Sequence, residues 1–305
     1  MGFDGFTDKD FDTYLADHRG SATFTLQRRL VKDKLRALMS EVMAQVGESA
    51  RGLELVFSSE VPSLENGRCV AEQGAYLIRG ATDREAVKAL VEKMSLRSAM
   101  ALDVAEFHKH ASIGVVVDDT GLRALLAFHP RGQVDRQNLK AKLGESWAVD
   151  AFLAQLQALP EGFRVLLPGM PAPVAPAELA RAAVEECVRA LEGDAMLLAT
   201  HVRPRDGARG ALAEVLTADL QALLALYRFS AWAPDHDQIH AVKQAKQQRE
   251  ESRKADFQPG MKVRILAGMW NGKVGVVESL DKKGGVKVMV GAVSVKIEAR
   301  DAQPV

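Results

Sequence analysis

Between Met261 and Ile297 the chain runs in short alternating stretches broken by glycine, and that pattern leaves few folds open. Met261, Val263 and Ile265 interleave with Lys262, Arg264 and Leu266, which predicts a strand with one apolar and one largely basic face. Gly268 and Gly272 bracket a tight loop, Met269-Trp270-Asn271, where positive φ or close backbone approach is expected. Val274, Val276 and Val277 begin a second strand, and Asp281-Lys282-Lys283-Gly284-Gly285 has the composition of a hairpin turn. Val286 to Val290 and Val293 to Ile297 add two more alternating strands, joined at Gly291-Ala292. Several short antiparallel strands in roughly fifty residues cannot leave both sheet edges open without cost, so closure into a small barrel is expected.

The preceding residues follow other periods. Thr7 is placed to cap a first helical segment over Phe3 to Tyr14, with Asp10 three residues on. Leu30, Val31, Leu35, Leu38, Val42 and Val46 keep helical spacing, and Gly47 ends that run. Leu53 to Phe57 and Ala75 to Ile78 read as strands, and Asp83 can cap a helix reaching about Leu96. Ile113 to Val117 is a β-branched run typical of a buried strand. Leu122 to Phe128 is its expected antiparallel neighbour across Asp118-Asp119-Thr120-Gly121. Helices over 135–143, 147–158, 177–192 and 212–229 and strands over 163–167 and 196–202 complete the pattern, with a polar loop at 203–210. Strands and helices mix without strict βαβ alternation, which predicts an α+β domain.

The expected organisation is an α+β domain over 1–233, a charged and helical linker over 234–256, and a small all-β barrel over 257–305. The 305 residues are 47% hydrophobic and 26% charged, enough apolar material for ordinary cores. Formal net charge is zero, but residues 257–305 hold eight Lys or Arg against four Asp or Glu, whereas 1–236 hold 27 against 32. Such asymmetry accompanies a binding module on a more acidic body. In the linker, Lys243, Lys246, Arg249 and Arg253 recur at helical spacing, either as a solvated face or as extra phosphate contacts. Two cysteines, Cys69 and Cys187, build no disulfide framework. No basic, apolar leader opens the chain and no apolar run is long enough to span a bilayer, so a cytoplasmic protein with no membrane partner is expected.

The tail resembles the KOW motif of bacterial ribosomal proteins and NusG-type elongation factors, through Pro259-Gly260, Val263, Ile265, Gly268, Gly272, Gly275 and Val277. The resemblance covers about a sixth of the chain and implies an SH3-like barrel that binds RNA or a protein of the transcription or translation machinery. It makes Lys262, Arg264, Met269, Trp270, Asn271 and Lys273 the candidate contact residues. The companion α+β domain of NusG-type factors does not match residues 1–233. That part resembles instead the uncharacterised YktB-like bacterial family, through Gly5-Phe6-Thr7-Asp8-Lys9-Asp10-Phe11-Asp12, Lys34-Leu35 and Leu38, Ala158-Leu159-Pro160 with Phe163, and Ala225 to Ser230.

Chemistry points the same way for Trp270. An exposed indole stacks on an unpaired base for about 1–3 kcal/mol, and neighbouring cations contact phosphate. The alternatives are an indole folded back as a core plug or an anchor for a protein partner. Elsewhere, His108 and His110, or His236 and His240, have spacings compatible with metal ligation but lack a third ligand, so no metal and no cofactor is assigned. Asp118, Asp119 and Asp135 stand at strand ends, where carboxylates can serve a metal-dependent nuclease or simply a turn. Arg28, Arg29, Lys32, Lys34 and Arg36 make the first long helix basic, a second candidate for nucleic-acid contact. The leading expectation is a non-enzymatic adaptor docking through the barrel. The alternatives are a metal-dependent hydrolase or nuclease targeted by it, and a barrel that serves as a lid on its own body.

Overall fold

The computed structural model describes residues 3–93, 104–209, 211–241, 244, 257–280, 285–298 and 301–305. These fall into two compact units, Met1–Gln238 and Ile239–Val305. The first contains α1 (Asp8–Asp12), α2 (Thr25–Val46), β1 (Leu53–Phe57), β2 (Glu72–Arg79), α3 (Ala81–Lys93), β3 (Ala111–Asp118) and β4 (Gly121–Phe128). It continues with α4 (Gln133–Lys142), α5 (Ser146–Gln157), β5 (Phe163–Leu166), α6 (Arg181–Ala190), β6 (Leu197–Pro204) and α7 (Leu212–Ser230). The strands form one sheet in the order β1-β2-β3-β4-β6-β5, antiparallel at every pairing. Mixed α+β content is therefore observed, as the absence of βαβ alternation predicted.

Strand alternation divides this sheet into two faces. Ala75, Leu77, Ile113, Val115, Leu122, Ala124, Leu126 and Phe128 point into the main apolar cluster, which α2 and α7 cover with Val31, Leu35, Leu38, Val42, Leu216, Leu220 and Leu223. Side chains of this kind contribute roughly 1.5–3 kcal/mol each when fully buried, so this layer carries most of the unit's stability. Helical spacing identified the buried stripe of α2 except at Leu30, which is 48% exposed, while Met39 is buried in the same helix. The opposite sheet face bears a smaller cluster of Tyr76, Ile78, Phe107, Val116, Leu125 and Ala127.

Several boundaries differ from the periodicity. The first helix is confined to Asp8–Asp12, held by the Asp10 carboxylate accepting from the Thr7 amide at 2.7 Å. The helix expected from residue 177 begins at Arg181, after a single 3-10 turn over Pro176–Glu178. Part of the expected loop at 203–210 extends β6 to Pro204, because Arg203 and Pro204 continue the ladder opposite Leu122 and Gly121.

The second unit holds β7 (Lys262–Ile265), β8 (Val274–Leu280), β9 (Gly285–Val290), β10 (Val293–Glu298) and β11 (Ala302–Pro304), in one antiparallel sheet of order β10-β9-β8-β7-β11. Phe257, Val263, Val277, Val286, Val288 and Ala302 form its own apolar core. Strand β11 was missed by sequence reading, since three residues including a proline carry no alternation. Of the expected hairpin turn at 281–285, Gly285 opens β9 and residues 281–284 lie outside the described residues, as do the linker stripe of Lys243, Lys246, Arg249 and Arg253 and the end of the helix near Leu96.

Candidate functional site

The six tail residues singled out by sequence belong to one hairpin, β7, its loop and the start of β8. Val263 and Ile265 are fully buried, so alternation turns Lys262 and Arg264 outward. Register sets Lys262 opposite Val276 and Arg264 opposite Val274, giving a surface in which cations alternate with exposed valines. The loop is a single 3-10 turn over Gly268–Trp270. It is closed by the Gly272 amide donating to Ile265 O at 2.7 Å and the Ile265 amide donating to Lys273 O at 2.9 Å. Gly268 and Gly272 have φ of 74° and 81°, the left-handed backbone expected of them. Gly275 answers a different need: a Cβ there would sit 2.4 Å from Val288 Cγ1 and 2.6 Å from Met289 O.

Met269 is 93% exposed, Asn271 and Lys273 are exposed, and Trp270 is half-buried outside the unit's apolar core. Among the described residues, Lys262, Arg264 and Lys273 have no ion-pair partner. The basic helix of the first unit contrasts with this. Arg28 is fully buried and donates to the carbonyls of His18, Ser21 and Arg19 at 2.7, 3.1 and 3.2 Å. Lys32 pairs with Glu60 at 2.7 Å, Lys34 with Asp10 at 2.8 Å and Arg36 with Asp33 at 2.5 Å. Most of the expected basic face of α2 is thus engaged within the chain: Arg28 by carbonyls of the preceding loop, Arg36 by Asp33 of the same helix, and Lys32 and Lys34 by carboxylates from other segments, which spacing along the helix does not reveal.

The carboxylates considered for catalysis are also committed. Asp118 Oδ1 accepts from the Thr120 amide at 2.8 Å and the Thr120 hydroxyl at 2.6 Å, which is turn chemistry, and Oδ2 lies 3.1 Å from Arg123. Asp119 faces Arg19 at 3.3 Å. Asp135 is fully buried, paired with Arg79, and accepts from the amides of Ala111 and Trp232 at 2.8 Å each. Among the described residues no group of three or more His, Cys, Asp or Glu could hold a metal ion.

The two histidines at 108 and 110 turn to different partners. Residues Glu106–His108 form a 3-10 turn and not an extended stretch, so His108 and His110 diverge. His110 is buried with Nε2 3.3 Å from Glu106 Oε1, and that contact is the main cause holding the Glu106 carboxyl down to about 2. His108 instead stacks on His129, with ring centroids 4.2 Å apart and planes at 17°. His236 lies in a 3-10 turn beside Asp235, a separate element from His240. The His108–His129 pair was not visible in the sequence. The two rings are brought together by the β3–β4 hairpin, and the only signal was a histidine at each open end of that predicted hairpin.

The chain matches no protein-family model, and no curated protein matches it in sequence. No helix among the described residues is long and apolar enough to cross a membrane.

Proposed function

We propose that this chain is a docking protein whose C-terminal unit is an SH3-like barrel of the KOW type and binds RNA through the β7–β8 hairpin. The observation that carries the reading is the set of three exposed cations, Lys262, Arg264 and Lys273, without an ion-pair partner among the described residues, around a loop that offers the Trp270 indole. Unpaired lysine and arginine give phosphate contacts whose counterion release drives binding, and an indole adds a sequence-tolerant stacking plane. The strand order β10-β9-β8-β7-β11, with β11 returning beside β7, is compatible with a small closed barrel. The first unit, in this reading a member of the YktB-like family, is the body that the barrel attaches to the transcription or translation machinery. A hydrolytic reading rests on Asp118 and Asp135, whose oxygens are held in turn and core hydrogen bonds.

A protein partner is the second reading, favoured by the exposed Leu266, Met269, Val274 and Val276 on the same hairpin. Titration of the full chain with a mixed-sequence single-stranded RNA separates the two. The RNA reading expects affinity to fall steeply with salt. It also expects Trp270→Ala with Lys273→Ala to weaken binding by about tenfold or more, as the loss of one stacked base and one phosphate contact requires, with the melting temperature unchanged. Binding that is absent or insensitive to salt points to protein, and a collapse of the melting temperature in the double variant overturns the hairpin as a docking surface.

A further inference from the structure

In the first unit, the second face of the six-stranded sheet is built around a cavity. Register lays out its floor in rows: Tyr76 pairs with Gly114, Gly114 with Leu125 and Leu125 with Thr200, while Ser112 pairs with Ala127 and Ala127 with Leu198. The small residues are what leave the space. A Cβ on Gly74 or Gly114 would lie 2.3 or 2.6 Å from the Tyr76 ring, so both glycines let that ring lie flat across the strands. Phe107 then stacks on Tyr76 with centroids 3.9 Å apart and planes at 7°. His108 stands edge-on to Phe107 at 4.5 Å and stacks on His129, so four rings run as a continuous aromatic ridge.

A cavity of about 310 Å³ lies on one side of the ridge, floored by Ser112, Leu125, Ala127, Leu198 and Thr200. A second of about 400 Å³, toward Ser58, Asn66 and Cys69, shares Glu72, Tyr76, Phe107, His108 and His129 with the first. The first volume is at the low end for small-molecule sites, which suits one or two fused rings. The charged groups of the first lobe are held in one ion-pair cluster. Glu72 accepts from the Tyr76 hydroxyl at 3.1 Å and pairs with Arg123, which also pairs with Asp118. Burial lowers the proton affinity of His108. Burial, reinforced by His108 and two arginines, takes His129 down to about 4, so both imidazoles are neutral at neutral pH; His129 Nδ1 accepts from the Arg131 amide at 3.1 Å, which leaves its Nε2–H as a donor.

We propose that this cleft binds a small, planar, uncharged heteroaromatic compound against the Tyr76–Phe107–His108–His129 ridge. Where they border the two lobes, the Phe107, His108 and His129 rings supply apolar aromatic contact, and the neutral imidazoles supply directional hydrogen bonds. In the lobe floored by Ser112 and Thr200 the charged lining groups, Glu72 and Arg123, are engaged with each other, so a charged ligand seated there would be desolvated without a free counter-charge, which sets the preference of that lobe for a neutral one. This site is independent of RNA docking by the tail.

The test is titration of the full chain with benzimidazole, benzoate and benzylamine, followed by ligand-detected NMR, at about pH 8, where benzimidazole and both imidazoles are uncharged. Benzimidazole is expected to bind at least about tenfold more tightly than either charged compound. His129→Ala is expected to weaken it about fivefold or more, the loss of one stacked ring and its hydrogen bond. Thr200→Tyr, at a half-exposed strand position, fills the first lobe and is expected to abolish binding with the melting temperature unchanged. The proposal is overturned if benzimidazole does not bind, if the charged compounds bind as well, or if binding survives both substitutions.

Discussion

Both carboxylate oxygens of Asp135 work inside the core, one on Arg79 and the Trp232 amide, the other on the Ala111 amide. Arg79 is 2% exposed and has no other anion beside it among the described residues. Asp135→Ala leaves a buried cation and two amides unsatisfied, and the expected loss is about 3–5 kcal/mol of unfolding free energy in urea titration. A loss below about 1 kcal/mol would show that water replaces the carboxylate at little cost. His129 makes a separate prediction, about pH. Its folded value of about 4 lies below the ordinary 6.5, so the unfolded chain binds the proton more readily between those values. Stability contributed by neutral His129 is therefore complete above 6.5 and declines as pH falls toward 4. His129→Gln should flatten the dependence of the urea midpoint on pH in that window, and an unchanged slope would place the titrating group elsewhere.

At the scale of elements, the β8–β9 ladder is spaced for a residue without a side chain at Gly275. Gly275→Ala drives a Cβ into the buried Val288 side chain and the Met289 carbonyl, and the carbonyl, being backbone of the paired strand, moves only with the ladder. The expected cost is about 1–3 kcal/mol, read as a lowered unfolding midpoint of the second unit by Trp270 fluorescence, and a neutral result would mean the ladder opens freely. That glycine stands out in the sequence as the third of the series Gly268, Gly272 and Gly275, as the turn at Asp118 to Gly121 does by its composition. Periodic signals of this kind are local, so strands β1, β3 and β4 and the long helices were legible to within a few residues. Contacts between distant segments were not. The burial of Arg28 against the 18–21 loop, the pairing of Lys34 with Asp10 and the meeting of His108 with His129 depend on which elements become neighbours, which spacing along one segment does not encode. The same limit applies to the candidate site: the sequence named the exposed tail residues, while the aromatic cleft arises from sheet register.

Across the whole molecule, chemistry is distributed unevenly between the two units. The first has the larger core and many paired cations, and the second a small core with Lys262, Arg264 and Lys273 on its surface without an ion-pair partner among the described residues. The aromatic residues divide in the same way. All three tyrosines of the chain, Tyr14, Tyr76 and Tyr227, are buried in the first unit, at 0%, 4% and 6% exposure. Burial, the largest cause in each case, pushes every one of these phenols well above the ordinary 10.0. A raised folded value means that stability is complete below about pH 10 and is lost as the unfolded chain gives up its phenolic protons above it. Tyrosinate absorbance in an alkaline titration should then stay flat past the point where free tyrosine ionises. It should rise in one step together with the loss of helical circular dichroism, whereas an early rise with helix intact would mean that at least one phenol is open to water. The chain thereby carries its own optical indicator of alkaline opening, one that reports on the first unit and is blind to the second.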